Sequence, residues 1–126
     1  MLKSENLYAY AGKILRVNLS NGKIWTEATL KYAKDWLGAS GMAIKILYDE
    51  LRPWVCPYEP ANRLIIGAGV LTGTTAPGSN KLSASTLSPI TGGWASGHCD
   101  SYLAGQLKYA GYDLLVIEGK SHTPAY

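Results

Sequence analysis

Residues 67–105, GAGVLTGTTAPGSNKLSASTLSPITGGWASGHCDSYLAG, hold eight of the fourteen glycines and two of the six prolines but only two formal charges, Lys81 and Asp100. A surface loop of this length is ordinarily solvated by charged side chains. This one offers small residues, hydroxyls and bare backbone, the surface needed when a polar ligand must come close to the main chain. A large anionic cofactor would suit it, and so would a β-rich segment held by tight turns with no ligand at all. Lys81 is the sole Lys or Arg between Arg63 and Lys108. On a solvated strand such a lysine needs no explanation, whereas in a charge-poor, glycine-rich setting it is a candidate partner for a phosphate or another anion.

The flanking segments have simpler patterns. Residues 12–27, GKILRVNLSNGKIWTE, alternate apolar and polar on both sides of Asn21-Gly22, which predicts a hairpin closed by a type I′ turn. Ile24 and Thr26 fall on one face of the return strand and Trp25 on the other. Residues 28–38 have helical spacing at Leu30, Ala33, Trp36 and Leu37 and end on Gly38. A second helix follows, with Ser40 as its expected N-cap, an apolar stripe of Ile44, Leu47, Tyr48 and Leu51, and a stop at Arg52-Pro53. Residues 53–62 contain three prolines and are expected to form an extended connector.

Residues 63–67 read as a short buried strand, residues 81–86 as a further strand, and TAPGSN and SPITGG as turns. Residues 101–110 are expected to form a helix with Leu103, Leu107 and Ala110 on one face, capped by Asp100 or Ser101 and ended by Gly111. Residues 113–118, DLLVIE, are the last clear strand. Strands in sequence with few helices predict an α+β fold with a largely antiparallel sheet.

Composition removes several functions. At 126 residues, 47% of them hydrophobic, the chain is the size of one domain. The net charge of +3 is scattered rather than gathered in a stripe, which argues against nucleic acid. No apolar run approaches the roughly 20 residues that span a bilayer, and the start lacks a secretory pattern, so no membrane association and a cytoplasmic location are expected. Cys56 and Cys99 form no CxxC pair and are expected to be buried free thiols. Nine Tyr and four Trp with no Phe give every aromatic ring a donor, a composition common around ligands and interfaces.

Two familiar enzyme patterns fail. Gly67, Gly69 and Gly73 are spaced GxGxxxG and are followed by Pro77 rather than an amphipathic helix, so the dinucleotide fingerprint is absent. No serine lies in a GxSxG elbow, and His98 and His122 are the only histidines. His98, Cys99 and Asp100 are consecutive, so on a strand their side chains diverge and do not meet on one ion. Their expected importance is positional, just before a helix whose free N–H groups favour an anion.

GKILRVNLSNGKI, DWLGASGMAIKILYDE, NRLIIGAGVLTGTTAPGSNK, LSPITGG and LKYAGYDLLVIEGKSHTPAY, in this order and at these separations, resemble the N-terminal domain of the aldehyde ferredoxin oxidoreductase family of tungstopterin enzymes. The resemblance implies a β-rich base on which tungsten or molybdenum sits between two pterin dithiolenes, their phosphates bridged by magnesium. It further implies oxidation of aldehydes, with electrons passed through an iron-sulfur cluster to ferredoxin. By the same resemblance, Lys81 takes the place of an arginine beside the pterin. His98 takes that of an asparagine whose backbone carbonyl helps hold magnesium, and Asp100 and Ser101 replace two glycines next to the pterin. Lys81, His98, Asp100 and Ser101 are thus the implied cofactor-binding residues, with no catalytic residue among them.

The family continues through further segments that supply the second pterin contacts, the cluster cysteines and the acid/base groups. The chain is therefore expected to be a single, incomplete domain over residues 1–126. Its expected partner is the remainder of the oxidoreductase or a larger companion subunit, with ferredoxin reached indirectly. The alternative is a stand-alone binding or assembly module that kept the fold, lost the redox cofactor and covers its sheet edges by self-association.

Overall fold

A computed structural model describes residues 8–125. It contains one six-stranded sheet and three helices: β1 (Lys13–Asn18), β2 (Lys23–Ala28), α1 (Leu30–Ala33), α2 (Gly38–Glu50), β3 (Arg63–Ala68), β4 (Lys81–Leu87), β5 (Trp94–Asp100), α3 (Tyr102–Tyr109) and β6 (Leu114–Glu118). The strand order is β2-β1-β6-β3-β4-β5. β1 and β6 run parallel, and every other neighbouring pair is antiparallel. The α+β class with a largely antiparallel sheet is the one the segment order predicts.

The register sorts the side chains. Ile14, Leu114, Ile65 and Ser85 follow one another across β1, β6, β3 and β4 or their immediate register neighbours, and with Arg16 and Val116 they form the face on which α2 packs. Met42 and Ile46 of α2 are fully buried there with Ile14, Ile65, Leu114 and Val116. Each such side chain contributes roughly 1.5–3 kcal/mol through the apolar area it removes from water. Close approach of helix and sheet depends on Gly67. A Cβ at that position would lie 2.5 Å from the Ala39 Cβ and 2.4 Å from Leu114 Cδ2.

Three expectations about local structure need correction. The β1–β2 loop is not a two-residue type I′ turn: the register pairs Asn18 with Lys23, leaving four residues, and only Gly22 (φ +70°) is left-handed. The cause is β6, which draws the chain past the end of β1 through Leu19 N–H to Glu118 O (2.8 Å) and Lys120 N–H to Ser20 Oγ (2.9 Å). The second helix begins at Gly38 rather than after a Ser40 cap, and its N-cap, Leu37, gives no side-chain hydrogen bond. Its buried face is Ala39, Met42, Ala43, Ile46 and Leu47, so of the predicted stripe only Leu47 is in the core and Tyr48 is 82% exposed. Small residues at 39 and 43 turn that side of the helix toward the sheet, because alanine admits the closest backbone approach.

Residues 53–62 are a chain of tight turns and not an extended connector. Val55 N–H bonds Arg52 O, Glu59 N–H bonds Cys56 O, and Asn62 N–H bonds Glu59 O. Prolines at turn positions fix φ without breaking this pattern. In α3 the buried residues are Ala104 and Gly105, while Leu103 is 55% exposed and Leu107 half-buried. Gly105 lies against Asn80, whose Oδ1 would be 3.3 Å from an added Cβ, so small size again decides which face turns inward.

Candidate functional site

The glycine-rich stretch folds into a loop and a hairpin. Its loop, residues 69–80, is fixed from within: Thr72 Oγ1 donates toward Ser79 O (2.8 Å) and Lys81 O (3.2 Å), and Gly69 N–H donates to Lys81 O (3.0 Å). Tyr109 of α3 adds a hydrogen bond to Gly73 O (3.2 Å), where φ is +81°. These contacts set the direction in which the chain enters β4.

SPITGG forms the turn from β4 to β5. Ser88 Oγ accepts from the N–H groups of Ile90 (3.2 Å) and Thr91 (3.3 Å), and Ser88 N–H donates to Gly93 O (2.7 Å). Gly92 takes the left-handed conformation this needs, at φ +68°. The hairpin then runs with Leu87 opposite Trp94, Ser85 opposite Ser96, Ser83 opposite His98 and Lys81 opposite Asp100.

Since side chains alternate across a strand, these eight share one face, the face that also carries α2. Lys81 Nζ and Asp100 Oδ1 are 2.6 Å apart, with side chains 58% and 78% exposed. Ser85 and Ser96 are joined at 3.1 Å, and Ser96 Oγ lies 3.5 Å from His98 Nε2. The result is a strip of three serines, an imidazole and one charge of each sign along the sheet margin. β5 is the edge strand, so alternate backbone N–H and C=O groups along it point away from its only neighbour.

Three of the four residues selected from the sequence, Lys81, His98 and Asp100, are brought together. Ser101 is not part of the strip: its hydroxyl caps α3 by accepting from Leu103 N–H (3.1 Å), and its own N–H bonds Asn80 O (3.1 Å). Cys99 points to the opposite face from His98 and Asp100. Cys56 and Cys99 are both exposed, not buried, because one sits among turns and the other on an edge strand. Among the described residues no group of three or more His, Cys, Asp or Glu is placed to hold a metal ion.

Sequence reasoning missed β5 and, with it, Ser83, Ser85 and Ser96 as one strip. The signal present was alternation across residues 94–100, masked by Gly97 and by the low apolar content of an exposed edge. It also missed the role of Asp113. This side chain is 1% exposed and accepts from Ala11 N–H (2.9 Å), Gly12 N–H (2.8 Å), Thr29 Oγ1 (2.7 Å) and Lys108 Nζ (2.7 Å). The KYAGYD motif is thus a structural clasp in which Lys108 reaches back over a turn whose Gly111 has φ +90°.

A second charge network supports the C-terminal end of α2 at Glu50. Arg16, 6% exposed, bonds Glu27 Oε2 (2.7 Å) and Glu50 (2.6 and 3.0 Å), and Arg63 joins Glu50 (2.9 Å) to Glu118 (3.2 Å). Burial opposes the charge on Arg16, but hydrogen bonds and attraction from Glu50 and Glu27 outweigh it and raise its pKa. Burial likewise pushes Glu27 up, and is outweighed by Lys31 and Arg16, which hold it below the ordinary glutamate value.

Comparison with known proteins identifies the family of the chain. Residues 14–126 match the family model described as aldehyde ferredoxin oxidoreductase, N-terminal domain. Over 121 residues the chain is 45% identical to the tungsten-containing aldehyde ferredoxin oxidoreductase of Pyrococcus furiosus and 42% identical to that of Thermococcus kodakarensis, covering 95% of this chain and 20% of each relative. It is 38% identical to the aliphatic sulfonate oxidoreductase, WOR-like subunit, of Pyrococcus furiosus, over 95% of this chain and 20% of that protein. Among solved structures, the active site complex BamBC of benzoyl coenzyme A reductase in complex with 1,5 dienoyl-CoA superimposes with a TM-score of 0.87 at 42% identity, over 91% of this chain and 18% of that one. The chain spans about a fifth of the length of the curated relatives it matches, and it belongs to the aldehyde ferredoxin oxidoreductase family, in the region of the N-terminal domain.

Proposed function

We propose that the strip on β4 and β5 is the part of this chain that binds a tungsten or molybdenum pterin cofactor, in a protein whose catalytic groups lie outside residues 1–126. The observation behind this reading is the register that puts Lys81, His98 and Asp100 on one face beside Ser83, Ser85 and Ser96. The residues suit an anion that arrives with its own cation. Lys81 and the half-buried Ser96 hydroxyl can donate to phosphate oxygens, while Ser83 and Ser85 are buried beneath them, and the Asp100 carboxylate would repel a bare phosphate and fits beside one only if magnesium accompanies it. The backbone of an edge strand supplies carbonyls for the same ion, His98 O among them. The bound group would supply two-electron redox chemistry at the metal. The chain itself orients the cofactor and keeps Lys81 at hand for its charge.

An iron-sulfur cluster would have to be held elsewhere, since Cys56 and Cys99 lie in separate elements. The companion that completes the site is either a longer polypeptide or a second subunit, with ferredoxin as the eventual electron acceptor, in the cytoplasm. Support for a missing neighbour comes from the sheet face opposite α2, shared by Leu15, Val17, Leu115 and Ile117 with Ile24 (65% exposed) and Leu64 (41% exposed). Among the described residues no helix is long and apolar enough to cross a membrane.

One observation favours a second reading. The Lys81–Asp100 pair satisfies the strip's only lysine without any ligand, as in a module that kept the fold and gave up the cofactor. Metal retention separates the two. In the assembled protein, Lys81→Gln and Ser96→Ala should each lower tungsten or molybdenum content severalfold while leaving the fold intact by circular dichroism. Metal content unchanged in both variants would remove the strip from the site.

A further inference from the structure

A cavity of about 660 Å³ lies at the Leu87–Trp94 end of the hairpin, where the C-terminal half of α2 meets the turns after it and the tip of β4 and β5. Its walls are aliphatic, from Leu47, Leu51, Val55 and Leu87, and aromatic, from Trp54 and Trp94. That volume falls within the roughly 300–1,000 Å³ typical of small-molecule sites.

Two further observations point to a ligand rather than to incomplete packing. Arg52 lines the cavity, and its side chain makes no ion pair or hydrogen bond among the described residues, although the neighbouring arginines, Arg16 and Arg63, are both tied to glutamates. Trp54 has φ +65° and its side chain is fully exposed at the mouth. A bulky residue in the left-handed region is an outlier, and strain of this kind concentrates where a side chain is aimed at a ligand. Apolar walls with one free guanidinium at the rim have the complementarity of an amphipathic acid, the guanidinium fork matching the two oxygens of a carboxylate.

We propose that this cavity is a binding site for an apolar carboxylate, an aliphatic or arylalkyl chain whose acid group pairs with Arg52. The site is independent of the cofactor reading: it shares no residue with the Lys81–Asp100 end of the hairpin, and it needs no metal.

The test is a titration of the full chain with sodium octanoate, followed by tryptophan emission and by calorimetry, with 1-octanol as the uncharged comparator. Octanoate should bind saturably with a blue shift from Trp54 and Trp94, and at least threefold more tightly than 1-octanol. Arg52→Gln, at an exposed position, should weaken octanoate about three- to tenfold and leave 1-octanol unchanged. Leu87→Trp, checked for folding by circular dichroism, should fill the cavity and abolish both. The proposal is overturned by the absence of saturable octanoate binding, or by equal affinity for acid and alcohol that Arg52→Gln does not alter. It is also overturned if ultracentrifugation shows that a second copy covers this face, as concentration-dependent association lost in the Leu87→Trp variant.

Discussion

At the scale of residues, stability rests on a few buried charges whose partners come from distant parts of the chain. Asp113 ties residues 11 and 12, the start of α1 and the end of α3 to the first position before β6. Removing one member of such a buried pair leaves the other charge unpaired. Asp113→Ala should therefore cost about 3–5 kcal/mol in urea unfolding, and Asp113→Asn, which keeps the shape but not the charge, should also destabilise. Glu27 has a pKa lowered in the fold from 4.5. Its contribution is present above that value and is lost as pH falls through the lower folded value, because the unfolded chain then binds the extra proton. Stability should fall on acidification below about pH 4.5, and Glu27→Gln should flatten that slope in an acid-unfolding series. None of this was legible beforehand: residues such as Arg16 and Glu50 are 34 apart, and no local pattern reports a pairing at that separation.

At the scale of elements, periodicity located β1, β3, β4, α2 and β6, since those strands and that helix have one side or both in apolar contact. It failed in two instructive places. α2 is apolar around most of its surface, so the pattern alone could not say which side faces the sheet, and the choice was made by the close approach of Ala39 to Gly67. Ile46→Ala should accordingly cost about 2–5 kcal/mol, while Ile44→Ala, outside the core cluster, should cost clearly less. Gly67→Ala should cost about 1–3 kcal/mol because neither Leu114 nor Ala39 has room to withdraw. The second failure was β5, whose side chains, Trp94 apart, are small or polar and largely exposed. An edge strand of this composition has its reason in pairing with β4, which is a tertiary fact.

At the scale of the whole molecule, the glycine-rich stretch serves two ends at once. Its glycines permit the loop that launches β4 and the turn that returns β5, and the hairpin so made carries a charge-poor polar face, buried at Ser83 and Ser85 and exposed at Lys81 and Asp100 at one end. Membership of the aldehyde ferredoxin oxidoreductase family was readable from motif order alone, and those motifs turn out to be the loop and the turn that hold this hairpin and the clasp that ties α3 to the first residues before β1. Lys81, His98, Asp100 and Ser101 could be singled out from the sequence by the resemblance, but their arrangement could not. Only the register brings the first three together and assigns the fourth to capping α3.

The cofactor-base reading is tested most directly by measuring tungsten and molybdenum in the protein isolated from its native source, with the masses of all co-purifying chains determined on the same sample. The account predicts near-stoichiometric metal in a longer polypeptide or in an assembly with a larger companion. This chain isolated alone and free of both metals would contradict it.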